Sequence, residues 1–227
     1  MRKTVFMLFL CIAGAFLNVG FHLLTTGENR LPLYNDTVFT ITVTLLGGPV
    51  WGSVTGALSN IIGHTNNFWG WEGYLFALCN IAVALITWLF MRLFPKELNL
   101  NLFGAERGKQ ETVKFSTHTQ SRRLDKVMNR VFVLTLLSFA LCLVISILGG
   151  TISFFIGLIR TSSEAGLSGN PASIPIMTHY TIPLVKEILS RIPINIIDRL
   201  IAAFGGYGIA FCIVFLTSNI LIFSRNQ

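Results

Sequence analysis

Leu45-Leu46-Gly47-Gly48-Pro49-Val50-Trp51-Gly52-Ser53-Val54-Thr55-Gly56-Ala57-Leu58-Ser59-Asn60 decides the fold. It lies within a run from Thr37 to Trp71 that carries no Asp, Glu, Lys or Arg. A helix needs about 20 apolar residues to cross a bilayer, so the run is too long for one crossing. Proline cannot continue a helix laid down before it, and Gly47-Gly48-Pro49 stands inside the run. The pattern predicts a short helix over 37–47, a tight turn, and a second helix over 50–63.

The other uncharged runs follow outward from this break. Thr4 to Gly27 predicts a first span over 4–24, and Gly73 to Met91, ended by Arg92, one over 73–92. Val131 to Ile159 and Ile194 to Phe223 predict the last two, over 131–159 and 194–223. The chain reads as an all-α membrane protein, a single domain over 1–227. It is expected to have six transmembrane helices, a short broken second helix, and both termini cytoplasmic. Between the spans lie a cytoplasmic loop at 95–130 and an outer loop at 160–192.

Composition agrees with a bilayer as the solvent. Of 227 residues 52% are hydrophobic and 12% charged, where a soluble domain carries about a quarter charged residues. A core of this size cannot hide that much apolar surface. Soluble enzyme, fibre, disordered chain and nucleic-acid binder are therefore excluded as whole-chain readings. The net charge of +7 is not spread as a nucleic-acid footprint, because nine of the 17 Lys and Arg residues fall between Arg92 and Arg130. With six spans, 12 of the 17 lie in segments 1–3, 92–130 and 224–227, which puts both termini and the long loop inside. That loop mixes charge signs without strong apolar periodicity and is expected to be partly helical and solvated. Met1-Arg2-Lys3 and Ala13-Gly14-Ala15 imitate a secretion signal, yet the apolar run continues to Leu24 and reads as a retained span. Cys11, Cys79, Cys142 and Cys212 all sit in apolar runs without pairing motifs and read as buried apolar residues.

Departures from plain apolar helix carry the functional signal. Gly48, Gly52, Gly56 and Asn60 recur four apart, with Ser53 and Ala57 beside them. Such a stripe lets another backbone approach closely, either within the bundle or on a partner. His64-Thr65-Asn66-Asn67-Phe68-Trp69-Gly70-Trp71-Glu72 joins two helices with amides, tryptophans and a carboxylate. Trp69 and Trp71 suit an interface belt or a stacking platform for a flat ligand. Asn80 lies two turns below Glu72, inside a span, and needs polar partners there. At the start of the last helix, Arg191, Asn195 and Arg199 recur at four-residue steps, with Asp198 beside them. Charges at that depth are costly and mark function by default, although a structural ion pair is the plainer reading. Asn35-Asp36 reads most simply as a helix cap with a carboxylate at a helix start, with a ligand-gating role as the alternative. His22, His64 and His179 have no ligand spacing, so no metal is expected. The chain has no nucleotide-binding lysine motif, G-x-S-x-G or H-E-x-x-H, so neither catalysis nor a cofactor is expected.

Leu33-Tyr34-Asn35-Asp36-Thr37-Val38, with the Leu45–Asn60 stretch quoted above, resembles the second and third helices of energy-coupling factor (ECF) transporter S components. In that family an aspartate opens a short helix. A Gly-Pro-x-Trp-Gly turn then leads into a Gly- and Ala-striped helix with a terminal Asn. The resemblance extends to chain size, span count and cytoplasmic termini. It implies a substrate-capturing subunit in a bacterial or archaeal cytoplasmic membrane, binding a vitamin-like small molecule from outside. Its implied partners are a membrane coupling subunit and two cytoplasmic ATPases, which would account for the missing nucleotide motif. Family members often dock through Ala-x-x-x-Ala on helix one, where this chain has Cys11-x-x-x-Ala15. The 95–130 and 160–192 segments exceed the minimal family plan. Taken together, the expected pocket comprises Trp69, Trp71, Glu72, Asn80, Asn195, Asp198 and Arg199. The expected docking set is Cys11, Ala15, Gly48, Gly52 and Gly56. A ligand-sensing signalling protein and an ion-coupled secondary transporter are the competing readings of the same fold.

Overall fold

The structure, a computed structural model, describes residues 2–25, 35–65, 73–100, 118–167 and 181–223. These residues are helical throughout apart from short turns. The helices are α1 (Arg2–Thr25), α2 (Val38–Gly47), α3 (Pro49–Thr65), α4 (Gly73–Leu93), α5 (Pro95–Leu98), α6 (His118–Leu167) and α7 (Thr181–Phe223). Four of them are long and apolar enough to cross a bilayer, over Lys3–Thr25, Tyr74–Leu93, Leu124–Ile159 and Pro183–Ser218. The protein is a multi-pass membrane protein.

The break between α2 and α3 falls at the expected turn. Gly48 has φ 90°, a conformation glycine adopts without a side-chain clash, and its N–H donates to the Thr44 carbonyl at 2.8 Å. Pro49 then opens α3, at the position where a missing N–H costs no helix bond. With 10 residues α2 extends only about 15 Å, half the hydrocarbon thickness. It is the centre of the bundle, packed against α1, α3, α4 and α7. Residues on all its faces are buried: Val38, Thr40, Ile41, Thr42, Val43, Thr44, Leu45 and Leu46. Its threonines satisfy their own hydroxyls. Thr44 donates to the Thr40 carbonyl at 2.7 Å, and Thr42 reaches the Gly206 carbonyl of α7 at 3.1 Å. Around it Val83, Leu137, Leu141, Ala202 and Ala203 complete the core. Phe9, Phe132 and Phe215 point outward, an arrangement that lipid tolerates and water does not.

The two longest helices run past the expected span ends. At 50 residues α6 is about 75 Å long, more than twice the hydrocarbon thickness. It begins at His118, inside the segment expected as a loop over 95–130, and the four-residue α5 occupies Pro95–Leu98. The segment 160–192, expected as an outer loop, is helical over 160–167 and 181–192. Charge ends a span but does not end a helix. Residues 118–130 contain neither Gly nor Pro, so helical hydrogen bonding continues into the polar region. Pro193, expected to open the last helix, lies inside α7.

The small-residue stripe of α3 faces the chain's own helices. A Cβ added at Gly52 would strike the Thr44 hydroxyl of α2 and lie 3.2 Å from the Ala84 Cβ of α4. One added at Gly56 would lie 2.8 Å from the Asn80 Cβ and 3.2 Å from that residue's backbone carbonyl. Cys11 and Ala15 on α1 are wholly buried, and the Cys11 thiol donates to the Trp51 carbonyl at 3.3 Å. Of the three glycines in the expected docking set, Gly48 alone has nothing within 4 Å of an added Cβ, although its φ of 90° disfavours any side chain.

Candidate functional site

The start of α2 meets α7, α4 and α3 in a buried polar cluster. Asn35 takes φ 41°, a left-handed conformation that asparagine tolerates, and its backbone N–H donates to Asp198 Oδ1 at 2.6 Å. This turn brings Asp36 and Thr37 against α7. Arg199 Nη1 donates to Thr37 Oγ1 at 2.5 Å, while Nη2 lies 2.6 Å from Asp198 Oδ2 and 3.8 Å from Asp36 Oδ1. From α4, the Asn80 amide reaches Asp36 Oδ2 at 3.4 Å and the Gly56 carbonyl at 3.5 Å, both long contacts. Asn60 donates to the same Gly56 carbonyl at 2.9 Å.

Burial makes this cluster unusual. Asp198 is 0% exposed, Asn35 2% and Arg199 3%. Two carboxylates share one guanidinium, Asp198 fully buried and Asp36 with 18% of its side chain exposed. Of the buried side-chain polar atoms without a hydrogen bond among the described residues, four lie here: Asn35 Oδ1, Asp36 Oδ1, Asp198 Oδ2 and Arg199 Nε. The fifth is Tyr207 Oη. Asp198 Oδ2 is close to the guanidinium but off its N–H directions, so the pair is coulombic and leaves hydrogen-bonding capacity unused. Unfilled capacity of this kind is rare inside proteins.

No family model, curated protein or solved structure matches the chain. The site therefore stands on its own geometry.

The structure divides the expected pocket. Asn80, Asp198 and Arg199 come together, joined through Asp36. Asn195 turns to α6, where its amide donates to Ser146 Oγ at 2.9 Å. Trp69, Trp71 and Glu72 lie outside the described residues. Arg191, one face-repeat above Asn195, is engaged elsewhere. It donates to Ser153 Oγ at 2.6 Å, pairs with Glu187 at 3.2 Å and lies over the Phe76 ring.

The expected cap at Asn35-Asp36 is corrected. The residue preceding α2 is Thr37, which makes no side-chain capping hydrogen bond, and Asp36 faces Arg199 and Asn80 instead. The capping oxygen comes from another helix. Asn18 of α1 accepts from the Phe39 N–H at 3.0 Å, satisfying one of the free donors at the start of α2. Its amide nitrogen donates to Thr40 at 3.0 Å and Ser59 at 3.1 Å, so one side chain ties α1, α2 and α3. Sequence reasoning missed this residue, although a lone amide in an otherwise apolar span was its signal. Asn18→Ala strands the Phe39 N–H and is expected to cost about 1–3 kcal/mol. A thermal unfolding midpoint equal to that of the unsubstituted protein would contradict that assignment.

Proposed function

We propose that the chain is the substrate-capturing subunit of an ECF-type importer. It binds a vitamin-like small molecule from outside and delivers it with a coupling subunit and two ATPases. In this reading all six expected segments traverse the bacterial or archaeal cytoplasmic membrane, both termini are inside, and the Asp36–Asp198–Arg199 cluster lies toward the outer face. The observation that carries it is that cluster, a buried ion group with unused hydrogen-bonding capacity at the meeting of four helices. A bundle held by packing alone has no need of such a costly group. A small solute contacting α2, α4 and α7 together would fill it. The test is mass spectrometry of small molecules released by denaturing the purified chain, with the Asp36→Asn variant alongside. A solute in near-molar ratio, reduced in the variant, is the expected result. Absence of any such solute, together with failure to associate with an ATPase-bearing module, counts against the proposal.

The pairing of two carboxylates with one guanidinium favours a second reading, an ion-coupled transporter. Solute uptake into vesicles containing the chain alone, driven by an ion gradient without ATP, would select it.

Orientation has its own test, motivated by the clustering of basic residues. In a Cys212→Ser background, a cysteine placed at Ser168 is expected to react with an impermeant thiol reagent added to intact cells. One at Ser116 is expected to be protected until the membrane is opened. Reversed accessibility at both positions would invert the orientation.

A further inference from the structure

The unfilled atoms of the cluster are unequal in kind. Three are acceptors (Asn35 Oδ1, Asp36 Oδ1 and Asp198 Oδ2) and one is a donor, Arg199 Nε. The two carboxylate oxygens both lie within 3.8 Å of the same Arg199 nitrogen, so they border one small region. Charge is unbalanced in the same sense, with two carboxylates against one guanidinium. Arg191, on the same helix, is held by Glu187 and Ser153, and His22 of α1 is the other basic group whose charge acts on Asp198. Asn80 contributes a donor only through contacts of 3.4 and 3.5 Å.

We infer that the site takes a positively charged, N–H-bearing organic solute, a protonated amine or amidinium. This rests on the solute-capture reading above and adds the charge class. Such a solute brings the donors the three oxygens lack and offsets the excess negative charge. An acceptor atom on the same molecule would meet Arg199 Nε. A carboxylate or phosphate ligand would instead confront two carboxylates in a medium that screens them poorly. An apolar ligand would seal the acceptors away from water unsatisfied. An inorganic cation would meet the oxygens without directed N–H donors, and sodium is therefore one of the probes.

The experiment is isothermal titration of the purified full chain in detergent, in potassium buffer. The probes are benzamidinium chloride, potassium benzoate of matching shape, and sodium chloride, each against wild type, D36N and N35G. D36N keeps the shape of the side chain and leaves Arg199 paired with Asp198. N35G keeps both the backbone N–H to Asp198 and the left-handed turn, so it remains informative should D36N not be recovered. Saturable benzamidinium binding is expected in wild type, weakened about 10- to 100-fold in D36N and several-fold in N35G, with no benzoate binding. Benzamidinium heats that never saturate, or equal affinity across the three proteins, overturn the inference. Saturable benzoate binding preserves solute capture while reversing the charge class. Sodium binding lost in D36N, without benzamidinium binding, makes the site an inorganic cation site and also overturns it. If neither probe binds and no solute co-purifies, the capture reading falls with it.

Discussion

Replacing Arg199 with methionine is expected to be the most damaging single change in the molecule. The guanidinium is the charged partner that both Asp36 and Asp198 have among the described residues. Without it two carboxylates face each other in the bundle, and Thr37 loses its donor. Breaking a buried ion pair from one side costs about 3–5 kcal/mol, a large fraction of the stability of a whole domain. The chain supplies its own reporter, since Cys11, Cys79 and Cys142 are buried and become reactive when helices separate. A thiol-reactive fluorophore, with Cys212 replaced by serine, is expected to show R199M melting far below the parent protein. The triple substitution D36N/D198N/R199M is expected to recover most of that loss, because neutral amides need no counter-charge. If R199M melts with the parent, the cluster contributes nothing to cohesion. If the triple variant is no better than R199M, the damage is steric rather than electrostatic.

Gly56→Leu is expected to have the second largest effect. The neighbour of an added Cβ there is backbone, the Asn80 carbonyl at 3.2 Å, besides the Asn80 Cβ at 2.8 Å. A backbone cannot rotate aside as a side chain does, so α3 and α4 must separate. Overpacking of this kind costs about 1–3 kcal/mol for a modest insertion, and a leucine is expected to exceed that range. Separation also draws Asn80 away from Asp36, so the substitution should lower both the unfolding midpoint and any solute retention. Gly208→Leu is the control, because nothing lies within 4 Å of a Cβ there. It is expected to change stability by less than about 0.5 kcal/mol. Equal midpoints for the two variants would mean that the α3–α4 contact is looser than drawn.

Legibility in the sequence followed the range of the interactions. The break at Gly47-Gly48-Pro49 was readable because glycine and proline act on their own backbone. The stripe through Gly52 and Gly56 was readable as close packing, but its neighbours were not, since periodicity states a spacing and names no partner. Spans were ended where charges appear, yet helix runs on through 181–192 and, within the segment expected to be partly helical, through 118–130. There the span stops and the hydrogen-bond ladder continues. In the site, Asn80, Asp198 and Arg199 stood out as polar groups within apolar runs. Asp36 did not, because beside a helix start a carboxylate has a sufficient local explanation. Asn195 was grouped with them by helical spacing, yet one face of a long helix passes more than one neighbour, and Ser146 on α6 is its partner.

The bond from Arg199 to Thr37 joins positions 162 residues apart in the chain. During synthesis, then, α2 exists long before the guanidinium that its polar end requires. Asp36 must wait for its guanidinium while α3, α4, α5 and α6 emerge, with the Asn80 amide of α4 as the donor it can meet first. A ten-residue helix that cannot reach across the hydrocarbon has no stable way to wait there alone. Final seating of α2 is therefore coupled to the arrival of the last helix, as a keystone set after its arch. Chains truncated before Arg199 would display an Asp36 carboxylate without its guanidinium, a signal by which quality-control proteases could distinguish the unfinished molecule from the finished one.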